Sequence, residues 1–131
     1  MDASYAVQLI VPAEPGSARL ARLVAAALAA DADFSVDDTE DLRVAVSELV
    51  ALLVEGAEDT DDQVSLNYFR GASSVEITGQ RALKGTKDGL DGSDPDDLAL
   101  EILRVVVDEH TYEHDGAGRH FRLLKRARAD V

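Results

Sequence analysis

The sequence has no cysteine. That excludes a disulfide framework and a thiolate zinc site. It has no apolar run of the roughly 18 residues that a membrane span needs. The start, MDASYAVQLIV, lacks the basic opening and small-residue cleavage site of a signal peptide. A cytoplasmic setting is therefore expected. Basic residues are few: 13 Lys and Arg stand against 26 Asp and Glu, a net charge of −13. Such a field repels nucleic acid and anionic lipid, both of which need Lys and Arg to neutralise phosphate. It speeds association with a basic protein, and it also serves solubility alone. The charge is uneven. Up to Ser65 there are 14 acids and 3 basic residues; from Leu66 onward there are 12 and 10.

What is present suits one folded domain over residues 1–131. The apolar fraction is 46 %, enough for a core. Tyr5, Val7, Leu9 and Val11 alternate, which predicts a strand ended by Pro12. A first helix is predicted from Ser17 to about Ala30, with Leu20, Leu23, Val24, Ala27 and Leu28 at helical spacing. Ser35 can cap a second helix, with Asp38 in the capping-box position. That helix runs to about Gly56, with Leu42, Ala45, Val46, Leu49 and Leu53 as its core stripe. QVSLNYF and SVEITG alternate as two hairpin-linked strands. GQRALKGTKDGLDGSD, with four glycines, reads as a mobile loop. Asp94 and Pro95 open a third helix, whose apolar face is Leu98, Ile102, Val105 and Val106. Thr111–His114 and Arg119–Leu124 flank DGAG, a hairpin signal. Helices packed on one face of such a sheet bury both apolar surfaces. The expected fold is an α/β two-layer sandwich: a mixed, mostly antiparallel sheet with three helices on one face.

Four stretches, in this order, carry a resemblance. DLRVAVSELV (Asp41–Val50) is similar to a helix reading approximately "lrlAVsEavtNai", and VEITG to a strand ending in Asp. LALEILRVVVDE (Leu98–Glu109) is similar to "GLxLIxxLxDe", and GRHFRLLKR (Gly118–Arg126) to "GTxvrLxK". Together they resemble the anti-sigma factors that double as serine protein kinases, the RsbW and SpoIIAB type. These belong to the GHKL (Bergerat-type, histidine-kinase-like) ATPases, and the resemblance covers about Tyr5 to Arg126.

The resemblance implies a helix Glu as general base, an Asn four residues later for magnesium, and a strand Asp for the adenine amino group. It also implies two glycines where backbone approaches phosphate. Here Glu48 keeps the base position. The Asn slot is Leu52, the Asp slot is Gly79, and the GxG slot is Asp97-Leu98-Ala99. Arg119 replaces the Thr after Gly118. Leucine has no oxygen for magnesium, which wants hard oxygen ligands. Glycine has no carboxylate for adenine, and Asp97 repels phosphate. Of the cofactor slots Glu48, Leu52, Gly79 and Ala99, the three that depart from the pattern thus argue against magnesium and ATP as cofactors. Glu48 is either a rim carboxylate, solvated or paired with an arginine, or a surviving general base.

The resemblance also implies a partner-binding face on the first helix, with Arg19, Arg22 and Leu23. The alternative is that the arginines solvate an exposed face. Lys84 and Lys87 fit a linker better than a phosphate lid, since GTKDG is not a P-loop. Asp88, Asp91, Asp94, Asp96 and Asp97 do not match calcium spacing. His110 and His114 share one strand face while His120 takes the other parity, so a zinc site is not expected. The expected function is an anti-sigma-type regulator that binds a sigma factor or an anti-anti-sigma protein, with a homodimer as the family habit. The alternatives are a serine kinase acting on an anti-anti-sigma partner through Glu48, and a binding module for an unrelated small molecule.

Overall fold

The computed structural model describes residues 5–57, 62–82, 97–115 and 118–128, with backbone alone at 82, 97 and 115. The loop lysines Lys84 and Lys87, the acids Asp88, Asp91, Asp94 and Asp96, and the Pro95 helix start lie outside the described residues. So does the centre of the DGAG turn.

The elements follow the expected order: β1 (Tyr5–Pro12), α1 (Ser17–Ala30), α2 (Val36–Val54), β2 (Gln63–Arg70), β3 (Ser74–Ala82), α3 (Asp97–Val106), β4 (Glu109–Asp115) and β5 (Gly118–Arg126). The five strands form one sheet in the order β1-β2-β3-β5-β4. Every pairing is antiparallel, a stricter case than a mixed sheet. Strand side chains alternate between faces. The inner face carries Val64, Leu66, Tyr68, Val75, Ile77, Phe121 and Leu123, all buried. The outer face is mostly polar, and Arg122 bridges Glu76 and Glu109 across three strands.

Helix α2 starts where the sequence places it. Ser35 is extended, and its hydroxyl accepts the Asp38 N–H at 3.0 Å. All five expected stripe residues are buried. Gly56, just past the end, takes a φ of 75°, a conformation that strains any other L-residue.

Three expectations need correction. In α1 the buried residues are Ser17, Ala21, Ala25, Leu28 and Ala29, while Leu20, Leu23 and Ala27 are exposed. Alanine wins this face because α1 lies close over Tyr68, whose hydroxyl donates to the Ala21 carbonyl at 3.0 Å. In α3 the inward residues are Ala99, Leu103 and Val106, and Leu98 and Val105 point outward. The stripe centres on Leu103, which is fully buried in the main core. Finally, Gly79–Ala82 is strand rather than loop. It pairs residue for residue with Phe121–Gly118 of β5, and that pairing satisfies its backbone groups.

At the α2 N-terminus lies a buried charge cluster. The Asp38 carboxylate is 1 % exposed. It sits 3.9 Å from the buried Lys125 ammonium and 3.2 Å from Arg128 Nε, and it accepts the Arg128 N–H at 3.1 Å. Burial works to raise its pKa. The Arg128 N–H, the Ser35 hydroxyl and the Lys125 charge outweigh burial and hold it below the usual carboxylate value.

Asp38→Asn is expected to cost about 1–3 kcal/mol at neutral pH. A carboxyl depressed in the folded state stabilises fully above its unfolded pKa, near ~4. That stabilisation is lost as the pH falls through the folded value. Urea unfolding from neutral pH down to about pH 2 should therefore show a constant gap between wild type and variant that closes only in acid.

Candidate functional site

The C-terminal end of α2 gathers most of the positions singled out in the sequence. Leu52 is buried and packs in the main core. Its carbonyl accepts the Arg119 guanidinium at 3.0 Å and the Tyr112 hydroxyl at 3.3 Å. Arg119 also donates to the Glu55 carbonyl at 2.7 Å. Directly opposite Arg119 in the sheet stands Arg81. Its Nη1 donates to the carbonyls of Leu53 at 2.7 Å and Glu55 at 3.0 Å. Both arginines are at least 95 % buried.

This arrangement has a simple cause. The last carbonyls of a helix have no partner within it, and they carry partial negative charge. Two guanidinium groups rising from adjacent strands supply both the donors and the opposite charge. Arg81 was missed because GQRAL reads as a loop. A signal existed: Val75, Ile77, Gly79 and Arg81 keep one parity, so Arg81 faces inward with them.

Gly79 lies between Leu66 and Phe121, its neighbours across β2 and β5. A Cβ built at Gly79 would stand 2.6 Å from Phe121 Cε2 and 2.8 Å from Leu66 Cδ2. The Phe121 ring fills the space that a side chain at position 79 would need. Any acid there would have to displace the ring first. Phe121 is the second residue that sequence reading missed, since its role depends on strand register.

Glu48 stands one turn before Leu52, half-buried, with no hydrogen bond or ion pair among the described residues. Of the two rim-carboxylate readings, solvated or arginine-paired, the described residues supply no arginine partner. Ala99 is buried on α3, which packs against α2. His110 and His114 face inward and His120 outward, as their parity requires. Burial, helped by the nearby Arg104 charge, lowers the His110 pKa. Among the described residues no His, Asp and Glu cluster could hold a metal ion.

The α1 residues form a second region. Arg19 is exposed and Arg22 half-buried, and both line one surface groove with Pro15 and Gly16. Arg22 also reaches α2, donating to Ser47 Oγ at 3.1 Å. Leu23 is 65 % exposed and lies outside that groove.

A five-stranded antiparallel sheet under three helices, with an acid midway along the central one, is the architecture of a kinase-type ATPase module. The family model described as "Histidine kinase-like ATPase domain" matches residues 11–125, and the chain belongs to that family. No curated protein matches the chain. Among solved structures, it is similar to that of the RsbU and RsbW domains of Rv1364c from Mycobacterium tuberculosis. The identity is 20 % and the TM-score 0.67, over 97 % of this chain and 35 % of that one. The chain thus spans about a third of the structure it matches, and the likeness is one of fold. No helix among the described residues is long and apolar enough to cross a membrane.

Two outcomes follow from the site. Gly79→Ala should destabilise the fold by about 1–3 kcal/mol through overpacking, with Phe121→Leu in the same chain recovering part of it. Arg81→Met and Arg119→Met should each cost about 1.5–3 kcal/mol in urea unfolding. The double variant should depart from additivity, because both arginines share the Glu55 carbonyl.

Proposed function

We propose that the chain is an anti-sigma-type regulator that works by binding protein, without holding magnesium and ATP as its family does. The observation that carries this reading is the filled interior at the α2 C-terminus. The residues present do not fit a magnesium–nucleotide group. The metal slot is a buried leucine with no oxygen on its side chain. The adenine slot is a glycine under a phenylalanine ring. The carbonyl end of α2 is already engaged by two guanidinium groups. Filling these places with hydrocarbon and internal hydrogen bonds favours a stable fold over an open ligand cleft.

Protein binding needs none of that chemistry. The α1 face with Arg19, Arg22 and Leu23 stands clear of the filled region and offers exposed charge and an exposed leucine. The partner in this reading is a sigma factor or an anti-anti-sigma protein. The similar structure's title names an RsbW domain, which is the kind of protein on which the proposal is patterned.

Thermal melting with magnesium and ATP tests the nucleotide half. A ligand at about 100 times its Kd stabilises a fold by about 2.7 kcal/mol. For a domain of this size that is a shift of several degrees. The expected result is no shift. A clear shift that Glu48→Ala abolishes would favour the serine kinase instead. The partner half is tested by sigma-factor binding in solution, which Arg19→Glu should weaken at least about tenfold.

A further inference from the structure

Short side chains face each other where α1 meets α2. Ala18 comes from α1, and Ser47 and Ala51, one turn apart on a single face, come from α2. Between the helices lies a hollow of about 370 Å³. That falls within the roughly 300–1,000 Å³ of small-molecule sites. Its floor is Val50 and Val54, both buried in the main core. At its rim Ala18 and Ser47 are half-buried and Ala51 is exposed. The hollow thus opens to solvent with hydrocarbon beneath it.

The polar groups around it are largely committed to the protein itself. The Ser47 hydroxyl donates to the Arg43 carbonyl at 3.0 Å and accepts from Arg22 Nη1 at 3.1 Å. The Val54 carbonyl accepts the Ala57 N–H at 3.0 Å. The Glu55 carbonyl is held by Arg81 and Arg119. Those two arginines are buried, whereas Glu55 is exposed. Among the described residues that line the hollow, Glu55 carries the one charge. It stands one turn beyond Ala51, about 6 Å along the helix axis. Up to Ser65 the chain holds 14 acids against 3 basic residues, so the field over this half attracts cations and repels anions.

We propose that this hollow is a binding site for a small organic amine. The ligand lays a compact apolar body, such as an aromatic ring, over Val50 and Val54 between Ala18 and Ala51. A short alkyl tether carries its ammonium to the Glu55 carboxylate. Each part follows from the wall it meets. A floor of valine methyls favours hydrocarbon, because a polar group laid on it gives up hydrogen bonds to water. The carboxylate at one end favours a cation and offers it a charge-assisted hydrogen bond. An anionic ligand would meet Glu55 with like charge. The span from Ala51 to Glu55 suits a ring and an amine separated by a tether of about one helical turn. The site owes nothing to Leu52, Gly79 or Arg19, so it stands or falls apart from the regulator reading.

The probes are phenethylamine and its carboxylate twin, hydrocinnamate, titrated into the full chain and followed by amide shifts. The amine should shift Ala18, Ala51, Val54 and Glu55 and weaken as salt rises. Its twin should bind at least about tenfold more weakly. Glu55→Gln removes the charge at an exposed position and should bring the two probes within about threefold of each other. Ala51→Leu, also at an exposed position, fills the hollow and should reduce amine affinity at least about tenfold. Both variants should keep the urea midpoint of the wild type, which separates lost binding from lost folding. Equal binding of the twins by the wild type, shifts on another surface, or full amine affinity in Glu55→Gln would overturn the proposal. So would a peptide with phenylalanine and lysine one helical turn apart that binds the same residues at least about tenfold more tightly than the amine, since the hollow would then seat a protein.

Discussion

The structure depends on how α2 is held at its two ends. A helix of 19 residues carries about half a positive charge at its start and half a negative one at its end. The sheet answers both. At the start, Asp38 complements the dipole and is itself tied to Lys125 from β5. At the end, Arg81 from β3 and Arg119 from β5 take the last carbonyls. Strand β5 reaches both ends with residues of one parity, Arg119 and Lys125, and between them places Phe121 and Leu123 in the core. One strand thus sets the position of the helix along its whole length.

That clamp decides what surrounds the end of α2. Here the same place is taken up by internal bonds and by the Phe121 ring over Gly79. The changes support one another: a leucine in the metal slot suits an apolar interior, and the glycine makes room for the ring. Glu48 remains one turn away, half-buried, without a partner among the described residues. A hollow remains where α1 meets α2, lined by Ala18, Ser47, Ala51 and Glu55.

The sequence was most legible where forces are local. The Ser35 cap and the α2 stripe depend on neighbours within one or two turns, and both formed as expected. The order of elements along the chain followed from periodicity and turn residues. The inner face of α1 was misread because leucine and valine were weighed above alanine. Contact distance, which the linear pattern does not contain, reversed that ranking at Ala21 and Ala25, whereas the face of α3 was read one residue early, at Leu98 and Ile102 rather than Ala99 and Leu103. At the site, the leucine at 52 and the glycine at 79 could be read directly. What surrounds them could not. Phe121 and the two arginines meet their targets only through the β3–β5 register. Arg81 was hidden by the glycine beside it, although its parity gave it away.

The alanine seam of α1 has an evolutionary corollary. Its inner side must accept a bare methyl at every fourth residue, because Tyr68 and α2 leave little clearance. Its outer side answers to no such steric rule. The two sides of this helix should then drift at unequal speeds, the inner frozen and the outer free to follow whatever it meets.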